Sequence, residues 1–148
     1  MEDKHADGIT FRINAPVATS TFIQLLYSST LAERRPVEDR ACIDSMLTNS
    51  NLVVSAWQGD ELVGIARSVT DFHYACYLSD LAVASSQQKG GIGRKLLALT
   101  QQQLGPHCKL ILISAPDANR YYPALGFTHN DRCWVMNPEQ VIAAEKPA

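Results

Sequence analysis

Apolar positions recur along the chain with two periods, and each change of period marks out an element. Residues 9–14 alternate apolar and polar side chains, the pattern of a short strand, and Pro16 then leads into a first helix that runs to Tyr27. Residues 31–36 bring Glu33, Arg34 and Arg35 together and predict a bend. Beyond it Val37, Cys42, Ile43, Met46 and Leu47 fall at helical spacing until Asn49, Ser50 and Asn51 break the second helix. Residues 52–57 and 62–69 are β-branched, apolar and small, and Gln58, Gly59, Asp60 and Glu61 between them predict a hairpin turn. A third strand over residues 74–83 completes an antiparallel meander. Ile92, Leu96 and Leu99 then give a helix that Gly105 and Pro106 stop, and residues 108–114 form a compact apolar strand. Pro116 opens a last helix, Asp117 suits the positive end of its dipole, and Gly126 closes it. Phe127 begins final strands that residues 132–136 continue as far as Pro138. Strands first, then strands and helices in alternation, predict an α/β fold with a mixed rather than all-parallel sheet and about four flanking helices.

Composition narrows what such a fold can do. At 148 residues the chain suits one domain, with a core over residues 8–138 and a frayed tail at 139–148. A hydrophobic share of 46% with 19% charged residues is that of a folded globular chain. The formal net charge of -2 supplies no broad positive field, which argues against nucleic acid as a partner. Residues 1–8 lack the basic and apolar regions of a secretory signal, and no window approaches a spanning apolar run, so no membrane association and a cytoplasmic location are expected. Cys42, Cys76, Cys108 and Cys133 lie far apart without a C-x-x-C pair, and are expected as reduced core residues holding no metal.

The candidate chemistry begins at Gln88, Lys89, Gly90, Gly91, Ile92 and Gly93, between the third strand and the helix after it. Backbone N–H groups at such a junction point into one concavity, the helix dipole adds positive charge, and glycines let a bulky anion come close. Lys89, Arg94 and Lys95 add mobile positive charge at the same end. A Walker A loop would need a lysine and a hydroxyl directly after its last glycine, whereas Gly93 is followed by Arg94, Lys95 and Leu96. The dinucleotide fingerprint fails too, because Leu96 stands where its third glycine belongs. Taken alone, the turn fits either a diphosphate cradle or a tight strand-to-helix connection that binds nothing.

The spacing Gln88-x-x-Gly91-x-Gly93, preceded by Leu78-Ser79-Asp80-Leu81-Ala82-Val83, resembles the acyl-CoA-binding motif of the GNAT acetyltransferase superfamily. A second block, Ala118, Tyr121-Tyr122 and Leu125-Gly126-Phe127, is similar to that family's later signature. The resemblance implies a GNAT fold in which the strands at 74–83 and 108–114 run parallel and splay apart around acetyl-CoA. It implies that the pantetheine arm pairs with the main chain around Leu81, Ala82 and Val83, and that the pyrophosphate rests on the amides from Gln88 through Lys89, Gly90, Gly91 and Ile92 to Gly93, beside Arg94. Ala118 and Tyr122 would complete the donor side. One departure is Ala115, where many members carry an asparagine seven residues before the helix tyrosine.

Acetyl transfer to an amine needs a neutral nucleophile, oxyanion stabilisation and a proton for the departing thiolate. By resemblance Tyr122 protonates the thiolate, and its other reading is an aromatic packing a helix end. The main-chain N–H near Val83 is the expected oxyanion donor, because the family's strand bulges there. Several members place an acidic base at positions that here read Tyr77 and Ser79, leaving Asp80 as the candidate base. Strand alternation puts Asp80 on the face opposite Tyr77 and Ser79, so a structural hydrogen bond or a water-mediated proton path are its other roles. Tyr27, Arg34, Arg35, His73, Tyr74 and Ser79 are the candidate acceptor-site residues; Arg34 and Arg35 could clamp a carboxylate or form a solvated charge run. Trp57 and Trp134 read as core or dimer surface, homodimers being common in the family. The expected activity is direct transfer from acetyl-CoA to the primary amine of a small molecule. The alternatives are acetylation of protein lysines or N-termini, and a non-catalytic acyl-CoA-binding module.

Overall fold

A computed structural model of the chain describes residues 2–4 and 8–144. Its elements are, in order, β1 (Glu2–Lys4), β2 (Ile9–Ile13), α1 (Thr19–Ser28), α2 (Arg40–Thr48), β3 (Leu52–Gln58), β4 (Glu61–Thr70), β5 (Ala75–Val83), α3 (Ile92–Gln102), β6 (Lys109–Leu112) and α4 (Tyr121–Ala124). Single 3-10 turns occupy Leu31–Arg34, Ser85–Gln87 and Pro116–Ala118. The chain forms two compact units, Met1–Ile113 and Ser114–Ala148.

In the first unit the strands lie side by side in chain order, antiparallel from β1 to β5 and parallel between β5 and β6. This is the mixed sheet that the sequence pattern predicts. β1 was not foreseen, since its Glu-Asp-Lys run has no apolar alternation. The helix expected from Val37 begins at Arg40 instead, because the Asp39 carboxylate accepts from the Cys42 N–H at 3.0 Å and so caps the first turn.

Residues paired across adjacent strands share a face of the sheet, and helices pack on both faces. On the face of Gly64 lies α3, which buries Ile92, Leu96 and Leu99 at helical spacing. A Cβ built on Gly64 would meet Ile92 Cγ2 at 3.0 Å and Leu96 Cδ1 at 3.1 Å, so the missing side chain is what admits α3. On the other face α1 and α2 pack together, and Phe22, Leu25, Leu26 and Ile43 are buried there. Each such side chain stabilises the fold by about 1.5–3 kcal/mol. Cys76 is buried as expected, whereas Cys133 is exposed rather than in the core; all four cysteines are free.

The second unit departs most from expectation. The helix expected from Pro116 to Gly126 is broken into a 3-10 turn and the four-residue α4. The final strands do not form among the described residues: 127–144 lie outside helix and strand, with Trp134 90% exposed. Their composition favours strand, but a strand exists only where a neighbour satisfies its backbone. Residues 139–144 have no regular structure, and the rest of the expected tail lies outside the described residues.

Candidate active site

The site begins at an irregularity in β5. Arg67 pairs with Asp80 and Ser68 with Leu78, so Ser79 is an extra residue on β5, a β-bulge. The expected bulge near Val83 is therefore four positions earlier. It also reverses alternation: Tyr77 pairs with Val69 and Asp80 with Arg67, which puts Tyr77 and Asp80 on one face, not on opposite faces.

The bulge coincides with the end of β6 pairing. β6 accompanies β5 over Ala75–Lys109 to Leu78–Leu112, and the residues from Asp80 onward pair only with β4. The Ala84 N–H donates to the Val63 carbonyl at 2.9 Å. This makes Gly64–Val83 a pair without mutual hydrogen bonds, so the N–H and C=O of Val83, and of Leu81 two residues before, point away from β4. They face the edge that β6 has left. Gln88 Nε2 donates to the Val83 carbonyl at 3.0 Å and folds the following turn back along that edge.

The turn itself is held on both sides: Ser85 Oγ donates to the Ser28 carbonyl at 2.8 Å, and Gln87 Nε2 to Gln58 Oε1 at 2.9 Å. Lys89 and Gly91 adopt left-handed φ of 70° and 85°, the second being the N-cap of α3. Gly91 has no side chain to cap the helix, and the first turn of α3 contains no acidic residue but does contain Arg94. Lys89 and Arg94 at a helix N-terminus oppose the macrodipole. Uncapped amides, left-handed glycine and basic side chains together suit a polyanion, so the residues present fit a diphosphate-bearing cofactor.

Asp80 is 1% exposed and enclosed by two guanidiniums. Arg35 Nε donates to Oδ1 at 2.5 Å and Arg67 Nε to Oδ2 at 2.6 Å. Both arginines also hold the bulged residue, Arg35 Nη2 through the Ser79 carbonyl and Arg67 Nη2 through Ser79 Oγ, each at 2.8 Å. Arg67 Nη1 reaches Ser50 Oγ at 2.9 Å, at the end of α2. The cluster fastens the bulge to the turn after α1 and to α2. Arg67 was missed from the sequence, although a charged residue inside the apolar run of β4 was the signal for it.

Of the candidate acceptor residues, Arg35 and Ser79 thus meet, with Arg34 next in the chain and exposed. Tyr27 is exposed on the last turn of α1, the helix that Ser85 ties to the glycine turn. His73 and Tyr74 are not brought to this group; five residues of strand, about 17 Å, separate Tyr74 from Ser79. They stand in a loop whose three N–H groups, from His73, Tyr74 and Ala75, donate to Asp71 Oδ1 at 2.8–3.0 Å and hold the Asp71 carboxyl below its ordinary pKa. A cavity of about 360 Å³ opens at that same end of the sheet, between Asn14, Asp44 and Asn51, and none of the expected site residues lines it.

In the second unit the later motif folds upon itself. The Gly126 N–H donates to Pro123 and Gly126 takes φ 98°, after which the Phe127 N–H donates back to the Tyr122 carbonyl at 3.2 Å. That return places the Phe127 and Tyr122 rings edge to face, centroids 5.4 Å apart. Burial, and then Tyr121 beside it, push the Tyr122 phenol above its ordinary pKa. Ala118 closes the 3-10 turn before it.

Comparison with known proteins accords with this geometry. A family model described as an acetyltransferase (GNAT) domain matches residues 29–137. No curated protein sequence matches. Among solved structures, a GNAT-family acetyltransferase of Streptococcus pneumoniae is 21% identical with a TM-score of 0.64, covering 88% of this chain and 99% of its own. The aminoglycoside N-acetyltransferase AAC(6')-Iy, solved with CoA, is 16% identical with a TM-score of 0.67, covering 89% and 95%. An aminoglycoside acetyltransferase from an uncultured soil metagenomic sample, solved with sisomicin, is 19% identical with a TM-score of 0.66, covering 91% and 98%. At these identities the likeness is one of fold. No described helix is long and apolar enough to cross a membrane, and no three or more His, Cys, Asp or Glu side chains gather as a metal site among the described residues.

Proposed function

Since the chain belongs to the GNAT acetyltransferase family, we propose that it transfers an acetyl group from acetyl-CoA directly to the primary amine of a small molecule, residues 8–138 acting as one cytoplasmic domain. The observation that carries this reading is the β5 edge: the backbone of Leu81 and Val83 is turned away from β4 where β6 departs, and leads straight into the uncapped start of α3. The small-molecule acceptor is favoured by relatives of the same fold that act on aminoglycosides.

In this reading the main chain of Leu81 and Val83 receives the pantetheine arm as a further strand would, with Ala82 between them. The amides from Gln88 to Gly93 receive the diphosphate, and Lys89 and Arg94 its remaining charge. The donor supplies an activated thioester carbonyl. Binding it with the amine at fixed geometry removes the entropic cost of their encounter. A main-chain N–H of the bulged segment stabilises the developing oxyanion. Both Asp80 oxygens already accept from guanidiniums, so we assign Asp80 to holding the bulge and let water take the amine's proton.

Tyr122 donates the proton that the departing thiolate needs. A phenol raised by burial stays protonated through neutral and mildly alkaline pH, so the alkaline loss of activity should begin only above about pH 10, the ordinary tyrosine value. Tyr122→Phe keeps the ring contact with Phe127 and removes only the hydroxyl that carries the proton. It should lower kcat at least about tenfold, which is about 1.4 kcal/mol in the barrier, while the midpoint of acetyl-CoA binding barely moves. An unchanged kcat with a good amine would exclude Tyr122 from the proton step, and a protein that neither binds acetyl-CoA nor releases thiol would refute the reading altogether.

A further inference from the structure

The bulge that turns Asp80 toward α1 and α2 leaves part of the same sheet face bare. Val69, Tyr77 and Ile111 are consecutive cross-strand partners on β4, β5 and β6, and so point to one side. They are 50%, 41% and 44% exposed, and Ile113, two residues on, is 52% exposed. Large apolar side chains exposed side by side on a sheet face mark a surface that something covers. The strip ends at the bulge, because Tyr77 is two residues from Ser79, and is therefore continuous with the point where β5 and β6 part.

Charge decides what kind of molecule can lie there. At the bulge end the strip meets Arg35 and Arg67 around the single carboxylate of Asp80. At the far end stand Lys109, whose Nζ lies 5.9 Å from the centre of the Tyr74 ring, and Asp71, whose Oδ1 holds three amides. Glu33 and Arg34, adjacent in the neighbouring turn, offset each other. The strip itself carries no carboxylate, and its border holds more cations than free anions. A polycationic acceptor would need the reverse, several carboxylates disposed around it.

We propose that the acceptor is a primary amine on an apolar body, aromatic or alkyl, with no second cation, lying across Val69, Tyr77 and Ile111 with its amine toward Ser79. This rests on the acetyl-transfer reading and narrows it: the chain shares its fold with aminoglycoside acetyltransferases without sharing their acceptors. The apolar strip supplies the affinity, and a second ammonium, at the end away from Ser79, meets Lys109 while the Asp71 carboxylate there is already engaged by three amides.

The test compares hexylamine with 1,6-diaminohexane, equal in length and different by one cation, and 2-phenylethylamine with sisomicin, by thiol release from acetyl-CoA. The expected result is a kcat/KM at least about tenfold higher for each monoamine, since the second cation meets like charge and no free carboxylate. Tyr77→Ser should raise KM for hexylamine at least about fivefold with the KM for acetyl-CoA little changed. Ile111→Ser, at the exposed edge strand, should act in the same direction if Tyr77→Ser folds poorly. A preference for sisomicin or the diamine overturns this inference and leaves acetyl transfer standing. No thiol release with any amine, or no binding of acetyl-CoA, removes both. If both variants leave every KM unchanged and instead reduce a dimer to a monomer in sedimentation, the strip is an interface between copies and not an acceptor surface.

Discussion

β5 is two strands in succession. From Ala75 to Leu78 it is paired on both edges, to β4 and to β6, and its backbone is committed. From Asp80 to Val83 it is paired on one edge, and what holds it in place is side-chain chemistry: two arginines on Asp80 and Ser79, and Gln88 on Val83. The first half is stabilised by the sheet, whereas the second is stabilised with no strand on its other edge, where the Val83 carbonyl meets the Gln88 side chain. An open strand edge is ordinarily a liability. Here it lies beside a basic helix start, and the difference between the halves is what a binding edge requires.

The sharpest way to break this contrast is to remove the anion that both arginines share. Asp80→Ala leaves two buried guanidiniums without their counter-charge and should lower unfolding free energy by about 3–5 kcal/mol in urea titration. Asp80→Asn keeps the shape and loses the charge; if it is as stable as the native protein, the cluster is held by hydrogen bonds alone. A smaller loss is expected at the opposite face. Gly64→Val pushes a branched side chain into Ile92 and Leu96, displacing α3, and should cost about 1–3 kcal/mol. Smallest of all, Lys89→Ala with Arg94→Ala relieves cations at a helix N-terminus. The free protein should gain a few tenths of a kcal/mol, about 0.3–1 at most, while its affinity for acetyl-CoA falls and loses much of its salt dependence. A loss of stability without loss of affinity would detach those residues from the donor site.

Those predictions depend on features that differ in how far they were legible in the chain. The first three helices and the meander follow from local periodicity, α3 from Ile92, Leu96 and Leu99 together with the glycines before it, whereas the helix expected from Pro116 to Gly126 does not form as one. The glycine turn and the later tyrosine motif were legible for the same reason, since each is a contiguous run. The bulge was not. Apolar residues cover both faces of the sheet around it, so the alternation Cys76, Leu78, Asp80, Ala82 runs through Ser79 without a visible break. Asp80 therefore looked like a free carboxylate on the wrong face, when its surroundings were being set by Arg35, 45 residues away in sequence. The final strands erred the other way: residues such as Trp134 and Val135 have the composition of a strand, but composition supplies no partner.

The central claim is that the second half of β5 is an edge kept for the acyl donor. It is tested most directly by amide hydrogen exchange, resolved by residue, with and without acetyl-CoA. The account predicts added protection at Leu81, Val83 and the amides from Gln88 to Gly93, with Ala75 to Leu78 unchanged because they are already paired. Protection that rises equally along all of β5, or does not rise at Leu81 and Val83 while acetyl-CoA is bound, would contradict it.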